Sequence, residues 1–419
     1  MKVLWFSNCV LGDKSSRGSG SWLFAMRGLI ASEVSLFNIT NGPVSQPVHN
    51  NYGDIEEYVL PNFRLSDGVP SKSGVEVISK IVDEIDPDIV QIWGDENYWA
   101  LLFSRGLLKR PNVLLDMQGV MSSVPDVFYG GLNHCDVDIR LGLIELRYPH
   151  RSVRAKFNHY LKVKVPQEKE ILSSAMLVSS QSEWVRDQIA AELNPKAKVY
   201  DTLFPLRDAF YKSEKWRKPS HSNEEIFTSA SYMLPFKGIH VLLKALAILK
   251  SKHPNVCLRI AGADPLSKNS VKNSSANGYT RLLVSMISEL KLQDNVLFEG
   301  PMNAEQLCER ALNSDLFVCP SFVESYGSAA AEALYLGVPS VLAYSGNLPY
   351  FSSKEQSALY YPAMDYVSCA ARMERLLSEP TLCNDLSLNA KRALKELCDP
   401  YAVKERQLSI YRDILNDKS

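Results

Sequence analysis

Two glutamates and a lysine are the side chains best suited to chemistry in this sequence. Glu324 and Glu332 stand eight positions apart in Pro320-Ser321-Phe322-Val323-Glu324-Ser325-Tyr326-Gly327-Ser328-Ala329-Ala330-Ala331-Glu332-Ala333. The apolar run Asp315-Leu316-Phe317-Val318-Cys319 leads in and Leu336-Gly337-Val338-Pro339 leads out, a strand–turn–helix layout. The start of such a helix offers backbone N–H groups and the positive end of the helix dipole, where a phosphate can sit. Small residues from Gly327 to Ala331 let a ligand come close to the backbone. Glu324 is expected before the helix and Glu332 about two turns inside it, so each can accept hydroxyls on its own side of a phosphate. Upstream, Phe227–His240 reads as strand, short loop, then Lys237-Gly238 at a second helix start. A lysine there can neutralise a diphosphate leaving group as its charge develops. A ligand with a sugar, a diphosphate and a ribose in a row would use all three side chains.

The first half offers weaker signals. Arg17-Gly18-Ser19-Gly20-Ser21-Trp22 follows the first apolar run and reads either as a plain flexible turn or as a loop where Gly18 and Gly20 let a ligand approach the next helix start. Leu23 replaces the third glycine of a dinucleotide-binding loop, which argues against a nicotinamide enzyme. Gln118 and Gly119 end a candidate strand, where the glutamine can bond substrate hydroxyls but cannot carry protons. Asp95 and Glu96 end another; they read either as an acceptor base or as loop carboxylates in water. Asp136-Val137-Asp138 matches a three-residue pattern that holds divalent metals elsewhere, yet no apolar strand runs into it, and no metal is expected. The histidine and cysteine spacings match no zinc site, and neither a G-x-S-x-G elbow nor a Walker lysine motif is present. Arg147 to Lys164 holds six basic residues and no acidic one, with Tyr148, Phe157 and Tyr160 interleaved. That stretch reads either as a solvated helix face or as a patch for an anionic membrane surface; no nucleic-acid module accompanies it.

Elements of two kinds must position these residues. Strand-length apolar runs at Val3–Phe6, Val34–Ile39, Asp88–Trp93, Val113–Met117 and Met176–Ser180 alternate with helical segments such as Trp22–Ile30 and Val75–Ile85. The pattern restarts at Ile226–Ser229, Val256–Ala261, Val296–Glu299, Leu316–Cys319 and Ser340–Ala343. Alternation of this kind predicts parallel sheets joined by right-handed crossovers, one per half. We expect an N-terminal domain over 1–203, a proline-bearing linker over 204–222 and a second domain over 223–400. The segment 401–419 is expected to form a helix that packs back on the first domain. Such paired α/β domains would face a central cleft at their strand ends. A net charge of −1 favours neither nucleic acid nor a strongly acidic partner. Met1–Asn8 reads as a first strand rather than a signal peptide, and no run nears the ~20 apolar residues of a membrane span. The cytoplasm is the expected compartment, with the protein either dissolved there or peripheral at the inner face of the membrane.

From Ile226 to Pro362 the chain resembles a family 4 retaining glycosyltransferase of the GT-B architecture, two Rossmann-like domains around a cleft. Phe227–His240 is similar to that family's Lys-Gly phosphate loop, Phe298-Glu299-Gly300-Pro301-Met302 to its base-binding turn, and Pro320–Pro339 to its E-x7-E segment. The resemblance implies that Lys237 and Glu324 are catalytic, with Glu324 on donor-sugar hydroxyls. It implies donor contacts from Glu332 (ribose), Gly327, Ser328, Tyr326, Gly238, Pro301 and Met302. Gly18, Gly20, Gln118, Gly119, Asp95 and Glu96 would line the acceptor side. The chain departs from the family in having Ser231, Tyr232 and Met233 where many members carry an arginine, and Gln118 where many carry a histidine. The implied reaction moves a hexose or amino-hexose from a nucleotide-diphosphate sugar to a hydroxyl, such as that of a lipid-linked glycan, with no metal or other cofactor required. A nucleotide-sugar epimerase and a non-catalytic nucleotide-sugar- or lipid-binding module are the alternatives.

Overall fold

The computed structural model describes residues 1–12, 20, 22–220, 223–231, 233–262, 264–265, 276–352 and 356–417. The chain divides into two compact units. One comprises Met1–Met121, Lys164–Arg207 and Leu397–Ser419; the other comprises Ser122–Val163 and Asp208–Glu396.

The first unit is built on an eight-stranded sheet. Its strands are β1 (Lys2–Phe6), β2 (Ser35–Gly42), β3 (Val48–Asn51), β4 (Glu56–Pro61), β7 (Ile89–Trp93), β8 (Val113–Met117), β9 (Leu177–Ser180) and β10 (Lys198–Asp201). A separate two-stranded hairpin holds β5 (Leu65–Ser66) and β6 (Val69–Pro70). The order in the large sheet is β10-β9-β8-β7-β1-β2-β4-β3. Side chains along a strand alternate between faces, and the core divides accordingly. Leu4, Phe6, Val90, Ile92 and Leu115 pack with Ile78, Val82, Ile85 and Trp99 on one face. Val3, Trp5, Ile89 and Leu114 pack with Met26 and Ile30 on the other. The helix Pro400–Asn416 covers that second face with Val403, Leu408, Ile410, Tyr411 and Ile414. Buried polar groups tie it down: Trp5 Nε1 donates to the Tyr411 hydroxyl at 3.1 Å, and Gln407 donates to Gln91 Oε1 at 3.1 Å.

The second unit carries a six-stranded, wholly parallel sheet in the order β13-β12-β11-β14-β15-β16. These strands are β11 (Glu225–Thr228), β12 (Cys257–Ile260), β13 (Val296–Phe298), β14 (Leu316–Cys319), β15 (Ser340–Tyr344) and β16 (Leu359–Pro362). β11 and β14 are buried along their whole length, as expected of central strands covered on both faces.

The structure differs from the sequence reading at three points. β3 pairs antiparallel with β4, so the first sheet is not wholly parallel. β3 is a largely exposed edge strand of mixed polarity and offers no periodic apolar signal. Residues 122–163, read as part of the N-terminal domain, cluster with the second unit. They are held there by the Phe128–Phe236 ring contact, by a His240 bond to the Gly130 carbonyl and by Glu145 at the start of the helix Gly278–Glu289. The stretch 204–222 does not run as a solvated linker in its described part. Phe204, Leu206, Phe210 and Trp216 are buried, and Trp216 donates from Nε1 to the Ser314 carbonyl at 2.8 Å.

Candidate functional site

Parallel strands bring their carboxyl ends to one edge of a sheet, so the loops after β11, β13, β14 and β15 share an edge of the second unit. Two of these loops are joined directly. Phe322 N–H, after β14, donates to the Phe236 carbonyl, after β11, at 2.8 Å. Gly238 follows the 3₁₀ turn Pro235–Lys237 in the left-handed region, with φ +75°. A Cβ on Gly238 would collide with the Pro320 carbonyl, so the glycine is required by backbone packing between the two loops.

This stitching brings Lys237 Nζ to 2.6 Å from Glu324 Oε1. Both side chains are mostly buried. Burial alone would lower the lysine's pKa, but the Glu324 carboxylate outweighs it and raises the value above the ordinary range. Glu324 is held through its backbone by the loop after β15. Asn347 N–H donates to the Glu324 carbonyl at 2.8 Å, and Asn347 Nδ2 to the Tyr326 carbonyl at 3.0 Å. Gly346 has φ +53°, and a Cβ there would strike the Glu324 backbone. Ser345 Oγ donates to the Ser321 carbonyl at 2.6 Å. Sequence reasoning missed Ser345, Gly346 and Asn347 as positioning residues. The available signal was a glycine followed by an asparagine directly after a buried strand.

The helix Ser328–Leu336 starts from Gly327 at φ +87°, and among the described residues no side chain caps it. A Cβ on Gly327 would lie 2.6 Å from Leu348 Cδ2. Ala330, Ala331 and Ala333 are buried, so much of the small-residue run serves close packing and only Ser328 and Ala329 face outward. Glu332 is the fifth residue of this helix, a little over one turn in rather than two, and is buried. Pro301 is exposed and Met302 half-buried. They follow Gly300, which exchanges two backbone hydrogen bonds with Gly262 at the carboxyl ends of β13 and β12. Pro301 and Met302 thus lie at the same sheet edge as Lys237 and Glu324, with β12 between β13 and β11.

His240 is a buried pin. Its ring stacks on Phe322, and burial lowers its pKa to about 4, so it is neutral. The Gly130 carbonyl, 2.9 Å from Nε2, can only accept, so Nε2 carries the proton and Nδ1 accepts from the Tyr279 hydroxyl at 2.9 Å. Asp138 accepts from the Tyr129 hydroxyl at 3.3 Å, and Asp136 lies in the first turn of the short helix His134–Asp138. Among the described residues no group of three or more His, Cys, Asp or Glu side chains is arranged to hold a metal ion.

The first unit gathers a different set at its own strand ends. Asp116, near the end of β8, is fully buried and accepts from Ser179 Oγ at 2.7 Å, Gln181 Nε2 at 3.1 Å and Gln118 Nε2. Burial pushes its pKa up to about 7 against these three donors. Gln118, read as a group for substrate hydroxyls, turns its amide nitrogen toward Asp116. The Glu96 carboxylate folds over Gly94, at φ +89°, where a Cβ would overlap it; a Cβ on Gly119 would come within 3.3 Å of it. Lys164, the last of the basic stretch, donates to the Glu96 carbonyl at 2.8 Å. Asp95 is buried, and neither of its oxygens has a hydrogen-bond donor among the described residues. Burial, then Glu96 and Glu168, raise its pKa well above the carboxylate range. Asp95 is therefore not a solvated loop carboxylate. Burial raises Glu96 as well, with Lys164 opposing. Gly20 has φ +89°, and its carbonyl accepts from Leu23 N–H at the start of the helix Leu23–Ile30. Gly18 lies outside the described residues, as do Arg17 and Tyr232.

Residues 211–393 match the family model described as glycosyl transferases group 1. A Bacillus subtilis (strain 168) protein named as a glycosyltransferase, YtcC, is 22% identical over 273 residues, covering 62% of this chain and 65% of the relative. A D-inositol 3-phosphate glycosyltransferase of Mycolicibacterium vanbaalenii is 33% identical over 130 residues, covering 30% of this chain and 28% of the relative. In each of these curated relatives the match spans less than two thirds of the relative's own length. Among solved structures, a sucrose-phosphate synthase of Thermosynechococcus elongatus superposes with a TM-score of 0.70 at 18% identity, covering 99% of both chains. Anabaena Alr3699/HepE, solved in complex with UDP-glucose, superposes with a TM-score of 0.66 at 16% identity, covering 100% of this chain and 99% of that one. The fold is GT-B, and residues 211–393 are similar to the glycosyl transferases group 1.

Proposed function

We propose that this protein is a retaining glycosyltransferase that moves a hexose or amino-hexose from a nucleotide-diphosphate sugar to a hydroxyl acceptor. The observation that carries the proposal is the Lys237–Glu324 pair, set beside a helix start that no described side chain caps. An ammonium group and backbone N–H groups suit a diphosphate, and a carboxylate suits sugar hydroxyls. In this reading the diphosphate replaces Glu324 as the partner of Lys237, which releases the carboxylate to the donor sugar. Glu332 accepts from the ribose, and Gly327, Ser328, Tyr326, Pro301 and Met302 complete the donor contacts. The bond from the anomeric carbon to the diphosphate breaks, and the bond to the acceptor oxygen forms on the same face. The acceptor's proton passes to the departing phosphate oxygen. No metal is needed, because Lys237 and the helix N-terminus meet the developing charge. On the acceptor side we assign Gly18, Gly20, Gly119 and Glu96, with Gln118 and Asp95 acting behind them. The acceptor we favour is a lipid-linked glycan of surface-polysaccharide biosynthesis, met at the inner face of the membrane.

A thermal-shift screen against UDP-, GDP- and other nucleotide-sugars tests donor binding, since a ligand of the native state raises its apparent stability. At least one donor should raise Tm, and the same donor should lose its sugar to a hydroxyl acceptor with the anomeric configuration kept. Flat melting curves across the panel would refute the proposal. A donor whose sugar changes without any acceptor would point to an epimerase instead.

A further inference from the structure

We infer that residues 139–151 form a membrane-docking surface for anionic bilayers, with apolar side chains that enter the lipid interface and arginines that meet the headgroups. In a water-soluble helix the acid faces out and the leucines face in. Here the arrangement is inverted. In the short helix Leu143–Arg147, Leu143 is 86% exposed and Leu146 is 61% exposed, while Glu145 between them is buried. Ile139, at 74%, and Leu141 extend the outward apolar set.

The inversion is enforced by specific bonds. Glu145 accepts from Gly278 N–H at 3.1 Å and Gly142 N–H at 3.0 Å, and it pairs with Arg281. Arg281 also donates from Nε to the Arg140 carbonyl at 2.6 Å. The Arg281 guanidinium lies directly over Gly142, where a Cβ would stand 2.6 Å from it, so the segment packs closely on the helix Gly278–Glu289. The clamp spends the one acidic side chain between Ile139 and Lys164, which leaves the outward charge wholly positive. Arg147 and Arg151, both exposed, lie 5.9 and 5.3 Å from the Tyr148 ring centroid. Exposed leucines, an interfacial tyrosine and arginines with no acidic residue between them in sequence match an anionic lipid surface in both polarity and charge. The basic stretch read from the sequence is narrower in the structure. Lys164 is taken up by Glu96, and Lys156 is half-buried and lowered in pKa by that burial.

Co-sedimentation of the full chain with vesicles tests this without any nucleotide-sugar, so its outcome is separate from that of the transferase assay. The chain should pellet with phosphatidylcholine vesicles that contain phosphatidylglycerol, and far less with phosphatidylcholine alone. Leu143→Glu with Leu146→Glu should weaken binding at least tenfold, because both side chains are exposed and their loss spares the core. Arg147→Ser with Arg151→Ser should weaken it by about fivefold per arginine, with the loss shrinking at high salt. Unchanged melting curves would show that the variants remain folded. The inference is overturned if the parent chain ignores anionic vesicles, or if the leucine variants bind as well as the parent. It is equally overturned if the parent sediments as a dimer without vesicles and the leucine variants as monomers, which would assign the surface to self-association.

Discussion

The loops at the strand ends of the two units handle charge in opposite ways. In the second unit an ammonium and a carboxylate face each other at 2.6 Å, and although burial lowers the lysine's pKa, the carboxylate outweighs it and raises the value. In the first unit Asp95, Glu96 and Asp116 crowd together with Glu168, and burial pushes the first three toward their neutral forms. A paired site is ready to exchange one partner for a charged ligand. A crowded acidic site holds protons, and its charge state follows the pH. The contrast separates a place where phosphate charge can be met from a place where the acidity of the surroundings is set.

The largest effect should come from the acidic side. Asp116 has a folded pKa near 7 against about 3.9 for an unfolded aspartate. The folded state therefore holds a proton that the unfolded state has released, so stability from this group is full below pH 4 and is lost as the pH rises through 7. Three pKa units correspond to about 4 kcal/mol. Chemical denaturation from pH 4 to 8 should show the parent losing stability over that window and Asp116→Asn losing less; parallel slopes would remove the contrast. Next in size is Lys237→Ala. Loss of one transition-state charge contact lowers turnover by roughly 10²–10³-fold, about 3–4 kcal/mol, and a variant with near-normal turnover would break the donor-side reading. Adding Glu324→Ala and completing the double-mutant cycle should reveal strong coupling, since the side chains touch. Smallest is Gly238→Ala, where the left-handed backbone alone costs about 1–2 kcal/mol and the Pro320 carbonyl adds to it. A melting temperature equal to the parent's would show that the two loops are not stitched as described.

Much of the second unit was legible. Leu316–Cys319 and the helix that follows Gly327 are where the sequence suggests them, because strong punctuation such as Pro320, Gly327, Gly337 and Pro339 bounds them. Lys237 and Glu324 could be named in advance because each lies where a buried strand turns into a helix. What escaped depends on contacts distant in sequence. Gly238 answers to Pro320, Gly346 to Glu324, and Gly94 to the folded-back side chain of Glu96. In all three a glycine makes room for protein, and composition cannot tell that from room for a ligand. The placement of 122–163 escaped for a similar reason: Phe128, His240 and Glu145 find their partners more than a hundred positions away in sequence. Asp95 escaped because a carboxylate just past a strand looks solvated until its burial is seen.

The helix Pro400–Asn416 has a consequence for how the protein is made. It supplies Val403, Leu408, Ile410, Tyr411 and Ile414 to a core whose other members, Trp5, Met26 and Ile30 among them, are translated first. Until residue 400 has been made, β1 therefore waits with one greasy side uncovered, while Asp208–Glu396 is still to emerge. The ribosome must pass that point before β1 can close, so termination ahead of residue 400 would yield a sticky product that chaperones must hold.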